Sequence, residues 1–239
     1  MAPTSGDYST PYLDWKDWHQ DTFGTYSTDD AAMFKAELSR AGVNESGQSI
    51  LELGFGHGSF LAWARASGHR CDGVEVNPEL MQFALGQGFD VFPTVDAIPV
   101  DRSYQMIVAF DVIEHLADSE LPALFRALAS RLTIGGSLLV RSPNGDSPLG
   151  SYYQNGDLTH RSIIGSHKLR QVAKMVNLDF VYSASPVLPY KSEYTLRGCR
   201  VRVLSALRSF IAYVVGRIYY NGNDVCLDPN LVTLLRRSR

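Results

Sequence analysis

The chain has 239 residues, 45% of them hydrophobic and 20% charged, and a net charge of −3. That profile excludes a disordered chain, predicts a soluble protein with a substantial core, and offers no overall basic field for a nucleic-acid partner. Cys71, Cys199 and Cys226 form neither a CxxC pair nor a disulfide framework, so a reducing, cytoplasmic location is expected.

The N-terminus, MAPTSGDYST, lacks the basic and apolar regions of a secretory signal. Residues 1–28 show no clear period, yet YLDWKDWHQDTFGTY carries five aromatics. Such a segment is expected to pack on the body or close over a site, with Tyr12, Trp15 and Trp18 as the candidates for a lid. Asp29 is positioned to cap a helix through AAMFKAELSRAG that ends near Gly42.

β and α patterns then alternate. QSILELG reads as a short buried strand, SFLAWARASG as a helix stopped by Gly68, and HRCDGVEVN as a second strand. Asn77-Pro78 opens the helix PELMQFALG, because Asn caps well and Pro suits the first helical position. FDVFPTV and YQMIVAF read as strands, SELPALFRALASRL as an amphipathic helix, and Gly135-Gly136 as the turn into the strand SLLVRSPN. SHKLRQVAKMVN is a further helix, LDFVYSASPV a strand, and NLVTLLRR the last strand. This alternation predicts an α/β, doubly wound, mostly parallel sheet covered on both faces. Ligands of such sheets bind beyond the carboxyl ends of the strands, where the strand order reverses.

The residues after each strand therefore carry the functional reading. The first strand leads into ELGFGHG, where Gly54, Gly56 and Gly58 permit positive φ and a close approach to the backbone. The bland alternative is a tight strand-to-helix turn. The spacing is G-x-G-x-G, not the G-x-G-x-x-G that seats a pyrophosphate, and Glu52 beside it suits a cationic amino group better than a phosphate. Glu75 ends the second strand, where an acidic residue accepts hydrogen bonds from both ribose hydroxyls or is simply a surface carboxylate. Asp96, with Ala97, follows the third strand and either accepts from an adenine amine or caps the loop. FDVIEHLAD follows the fourth, crowding Asp111, Glu114 and His115 at its end; the alternative is a helix start with favourable first-turn acids and a packed histidine.

Taken together, ELGFGHG, GVEVNP, Asp96-Ala97, MIVAFDVIEHL and RLTIGGSLLVRSPN resemble the class I S-adenosylmethionine-dependent methyltransferases over residues 47–187. The resemblance implies one domain across residues 1–239, with a Rossmann-like seven-stranded sheet whose last strand is antiparallel. It also implies S-adenosylmethionine as cofactor and S-adenosylhomocysteine as product. Glu52 and the glycine turn would hold the methionine end and Glu75 the ribose, with Val76 against the adenine and Asp96 and Ala97 at its edge. Phe110, Asp111 and His115 would flank the cofactor after the fourth strand. The FDVIEHL form looks like ubiquinone-type O-methyltransferases and sugar or glycan methyltransferases. It does not look like the nucleic-acid amino-methylating groups, which carry an Asn/Asp-Pro-Pro-aromatic motif there.

Methyl transfer from a sulfonium requires no metal, and none is assigned. It requires alignment and exclusion of water, and an alcohol acceptor gains from a base such as histidine. DLTHRSIIGSHKLRQVA resembles the Asp-x-Thr-His segment of bacterial polysaccharide-associated methyltransferases. His160 is the expected base, oriented or assisted by Asp157; the alternative is a turn cap and a loop contact. Tyr152 and Tyr153 would stack on a sugar or line the wall, while His57 reads as a turn residue and His167 as surface.

Residues 197–223 lie outside the minimal fold, as an amphipathic helical insertion before the last strand. Arg200, Arg202, Arg208 and Arg217 interrupt its apolar run, which suits packing on the body, a homodimer face, or peripheral contact of 200–220 with the inner face of the plasma membrane. The expected activity is O-methylation of a sugar hydroxyl in bacterial polysaccharide assembly. The alternatives are a quinone or natural-product O-methyltransferase, a non-catalytic cofactor-binding module and, more distantly, a nicotinamide-dependent oxidoreductase.

Overall fold

The apolar runs of the sequence become the middle of one sheet. β1 (Ser49–Leu53), β2 (Arg70–Val74), β3 (Val91–Phe92), β4 (Tyr104–Phe110), β5 (Leu132–Pro143), β6 (Asp179–Ala184) and β7 (Asn230–Arg236) pair in the order β3-β2-β1-β4-β5-β7-β6. The computed structural model describes residues 16, 18–190 and 194–238. β1 to β5 pair in parallel, whereas β7 runs antiparallel to both β5 and β6. Strand order reverses between β1 and β4, which places the ends of those two strands side by side.

The central strands are buried on both faces, so they carry no polar alternation. Ile50, Leu51, Ile107, Val108 and Ala109 have no solvent exposure. Helices α1 (Thr28–Arg40), α2 (Ser59–Ala66), α3 (Pro78–Gly86), α4 (Leu121–Arg131), α5 (Ser151–Gln154), α6 (Ser166–Met175) and α7 (Leu196–Tyr219) alternate with the strands. One buried charge is used structurally. Asp72 of β2 accepts from the Tyr104 hydroxyl at 2.8 Å and from Arg102 at 2.9 Å, so burial leaves it paired.

Several boundaries differ from the sequence expectation. Ser27, not Asp29, caps α1: its side chain accepts from the Asp30 N–H, and Asp30 reaches back to the Ser27 N–H. Asp29 instead pairs with Arg197 and accepts from the Tyr190 hydroxyl, tying α1 to the first turn of α7 and to the segment before it. Only Val91–Phe92 of FDVFPTV pairs as a strand, at the sheet edge. Asn77 does cap α3, accepting from Glu79 and Leu80 N–H groups with Pro78 at the first position. The insertion is a single helix of 24 residues. No helix among the described residues is long and apolar enough to cross a membrane.

Candidate active site

A cavity of about 1080 Å³ opens beyond the carboxyl ends of β1, β2 and β4, at the reversal of strand order. Glu52, Gly54, Gly56, Glu75, Val76, Phe110, Asp111, His115, Asp157 and His160, all expected from the sequence, line it. Three expected residues do not. Asp96 and Ala97 are exposed in a short 3-10 turn that Thr94 caps, outside the lining. Gly58 lies behind the wall, where an added Cβ would stand 2.4 Å from the Phe23 ring.

Gly54, Gly56 and Gly58 all have positive φ, as anticipated. The space beside them, however, is filled by the chain itself: a Cβ on Gly54 would meet Val112 at 2.5 Å, and one on Gly56 would meet the Trp18 ring at 2.7 Å. Trp18 also stacks on His57 with ring centroids 6.1 Å apart. Trp18 therefore lies over the glycine turn at Gly56 and Phe23 at Gly58, and Lys16 and Trp18 line the cavity. Tyr12 and Trp15 lie outside the described residues.

Two carboxylates define one end. Glu75 accepts three backbone N–H groups, from Val76 at 2.8 Å, Asn77 at 3.0 Å and Gly56 at 3.1 Å. Burial pushes its carboxyl above the usual range, and those amides only partly oppose that. Glu52 is 5% exposed, and its Oε2 has no hydrogen-bond partner. Burial raises its carboxyl well above the usual range, only partly opposed by the Leu61 backbone. A buried acceptor without a donor, facing a cavity, fits a cationic group.

The wall between the two ends is aromatic and basic. Phe110 stacks on Phe34 at 6.0 Å and meets Phe60 edge-on at 5.5 Å. Arg141, at the end of β5, lies 5.1 Å over the Phe110 ring and grips both oxygens of Asp111. Asp111 adopts φ 57°, a left-handed conformation rarely taken by residues other than glycine. Sequence reasoning missed Arg141; the signal for it is a charged residue ending the apolar run SLLV.

At the other end, His115 and His160 pack edge-to-face with centroids 4.8 Å apart. Burial lowers the His115 pKa, and the neighbouring His160 adds to that. The expected pairing of Asp157 with His160 is not the one formed. Asp157 Oδ1 accepts from the Thr159 hydroxyl at 2.5 Å, and Thr159 Oγ1 lies 2.9 Å from His115 Nδ1. His160 Nδ1 lies 3.0 Å from the Gln154 carbonyl oxygen. The difference follows from the turn: Asp157 caps its own loop through the Thr159 N–H at 2.9 Å, which holds the carboxylate on the His115 side. Burial raises the Asp157 carboxyl, but the Thr159 hydroxyl and amide and the Lys16 charge outweigh it, leaving it below the usual carboxylate range. Glu114, unassigned by sequence reasoning, has no solvent exposure, and burial pushes its carboxyl up to about 8.

A methyltransferase-domain family model matches residues 26–183. This chain belongs to the methyltransferase-domain family. No curated protein gives a significant match. Among solved structures, the methyltransferase is similar to a SAM-dependent methyltransferase from Archaeoglobus fulgidus, with a TM-score of 0.60 and 17% identity over 95% of this chain and 100% of the other. It is also similar to an S-adenosylmethionine-dependent methyltransferase from Mesorhizobium loti, with a TM-score of 0.57 and 15% identity over 87% and 99%. Magnesium protoporphyrin IX methyltransferase from Synechocystis, with bound SAM, gives a TM-score of 0.55 and 13% identity over 97% and 94%. At these identities the likeness speaks for the fold, which is that of a Rossmann-like methyltransferase.

Proposed function

We propose that this methyltransferase moves a methyl group to oxygen, and that the acceptor is a sugar hydroxyl of a bacterial glycan. S-adenosylmethionine is the methyl donor; when bound it supplies an electrophilic methyl group on a sulfonium that leaves as S-adenosylhomocysteine. The Glu52 carboxylate, buried with an unpartnered oxygen, holds the cationic amino group of the methionine end. Glu75 orders the glycine turn through the Gly56 N–H and keeps acceptor capacity for ribose hydroxyls. Val76 and Phe110 flank the cofactor, and Trp18 excludes water above the turn.

The observation that carries the acceptor reading is the cluster of His115, His160 and Glu114 at the far end of the same cavity. Attack by a hydroxyl needs a site that raises its acidity or takes its proton, and an imidazole suits that task near neutral pH. Tyr152, 80% exposed and edge-on to Tyr153 at the cavity rim, offers an aromatic face for a sugar ring.

Release of S-adenosylhomocysteine on adding bacterial glycan extract tests this function. His160→Ala is expected to keep cofactor binding by calorimetry and lose most turnover. Wild-type turnover of that variant at saturating acceptor would remove His160 from the reaction.

We also infer that α7 rests on the anionic inner face of the plasma membrane. It carries five arginines and no acidic residue. Val203, Leu207, Phe210, Tyr213 and Ile218 are exposed along it. A glycan acceptor on a lipid carrier would be presented at that surface.

A further inference from the structure

Three side chains converge at the acceptor end of the cavity, and no hydrogen bond joins Glu114 to either histidine. The tautomers follow from the neighbours. The Thr159 hydroxyl has one hydrogen, and it goes to Asp157 Oδ1. At 2.9 Å from that hydroxyl oxygen, His115 Nδ1 must therefore carry the hydrogen of their contact. The Gln154 carbonyl only accepts, so His160 Nδ1 is also the protonated nitrogen. In a neutral imidazole the other nitrogen then bears a lone pair, which leaves Nε2 of both rings as bare acceptors.

Glu114 completes the set. It has no solvent exposure, and neither of its carboxylate oxygens has a hydrogen-bond partner. His160 Nε2 stands 4.0 Å from Glu114 Oε1, too far for a hydrogen bond. One ligand atom from each of Glu114, His115 and His160 lies within 4.8 Å of the others. Ligands at about 2.0–2.2 Å around a tetrahedral ion stand about 3.4 Å apart, so a small side-chain rotation closes the set. Both imidazoles already have what ligating histidines have: the second ring nitrogen donating to a backbone carbonyl, or through a hydroxyl to a carboxylate. Of the nearby positive charges, the Arg141 guanidinium is committed to Asp111 and the Lys16 ammonium lies 3.4 Å from Asp157 Oδ2.

We propose that Glu114, His115 and His160 bind one divalent transition cation of the zinc type, through two imidazole nitrogens and one carboxylate. Such a donor set suits zinc and its first-row neighbours better than magnesium or calcium. It leaves coordination positions facing the cavity. Resting on the reading that the acceptor is a hydroxyl, the ion's role is to take that oxygen as a ligand and raise its acidity, as metal-bound water is acidified. The hydroxyl proton then leaves to solvent. The oxygen bonds to the methyl carbon as the carbon–sulfur bond breaks, and neutral S-adenosylhomocysteine departs.

The test uses the full-length, tag-free protein, stripped with a chelator and titrated with Co2+ alone. The expected result is a visible absorption band that saturates at one ion per chain and is displaced by Zn2+. Glu114→Gln and His160→Gln should each weaken Co2+ binding at least tenfold while S-adenosylmethionine binding by calorimetry stays intact, which certifies the fold. No band with the wild type up to millimolar Co2+, or binding that both variants leave unchanged, overturns the proposal. Failure of the glycan reading looks different: Co2+ still binds at the cluster, but no S-adenosylhomocysteine is released with any sugar.

Discussion

Asp157 is linked to His115, not to His160, and Thr159 makes the link. The Thr159 hydroxyl donates to Asp157 at 2.5 Å and receives His115 Nδ1–H at 2.9 Å. A carboxylate held one hydroxyl away from an imidazole fixes the ring and its tautomer, much as a direct carboxylate–histidine pair does. Thr159→Val removes the hydroxyl and keeps the shape. Turnover is expected to fall about 10–100-fold with the cofactor Kd unchanged, and Thr159→Ser should restore it. Steady-state kinetics of the pair decides this; a wild-type kcat in Thr159→Val would show the link to be idle.

Glu52 makes cofactor binding depend on pH. Its carboxyl is raised by burial, so a cationic ligand must expel a proton to pair with it. Affinity for S-adenosylmethionine should therefore rise as pH increases through the acid range. In Glu52→Gln the slope should vanish and the Kd should rise about tenfold or more, the scale of a lost charged hydrogen bond. Calorimetry at several pH values reads both effects, and an unchanged slope in the variant would assign the proton elsewhere.

Trp18 covers Gly56, whose φ of 50° and 2.7 Å clearance leave no room for a side chain. Gly56→Ala should displace the indole and weaken cofactor binding more than Trp18→Ala does, because it also strains the backbone. Trp18→Ala should melt within a few degrees of wild type yet release cofactor about tenfold faster. Stopped-flow displacement measures that rate, and an unaltered rate would mean that the indole does not retain the ligand.

Glu114 sets a stability slope in chelator-treated protein. Its carboxyl lies at about 8 when folded, against 4.5 for an unperturbed glutamate. The folded state thus holds a proton that the unfolded state has lost, and stability falls as pH rises through that interval and levels off above about pH 8. His115, lowered by burial, contributes the opposite slope only below the ordinary histidine range. Near pH 7 the slope is a little under the one-proton value of roughly 1.4 kcal/mol per pH unit, or about 2–4 °C in Tm, and it falls to about half of that at pH 8. Glu114→Gln should abolish that fall in thermal melts; an equal fall in the variant would assign the proton to another group.

The α7 helix gives the last test. Co-sedimentation with phosphatidylglycerol vesicles should be strong at low salt and weaken as salt screens the arginines. Leu207→Glu with Phe210→Glu should reduce it severalfold without lowering Tm, since both residues are exposed. Binding that ignores both salt and these substitutions would count against the helix as the contact.

The sheet and much of the cavity lining at the ends of β1 and β2 were legible in the sequence because they depend on local rules. Apolar runs bounded by glycine gave the strands, Asn77-Pro78 gave a helix start, and a carboxylate stood at the end of β1 and of β2. Gly54, Gly56 and Gly58 were read correctly as positive-φ positions. What fills the space beside them was not legible, since Val112, Trp18 and Phe23 reach them from other parts of the chain. The place of Asp96 depends on where an element ends: the third strand stops at Phe92, and the turn after it carries Asp96 outside the lining.

The sequence by itself determined the alternation of strands and helices, hence the crevice at the reversal of strand order, and the chemical kinds of residue around it. Those follow from periodicity and backbone preference, which act over a few neighbouring residues. Only the tertiary structure decided which side chains meet. It placed Thr159 between Asp157 and His115, set His160 beside a buried Glu114, and laid Trp18 over Gly56. These contacts depend on the paths of loops after β4 and β5 and of the N-terminal segment. No repeat in the sequence encodes such paths; they are fixed by burial and hydrogen-bond satisfaction across the whole fold.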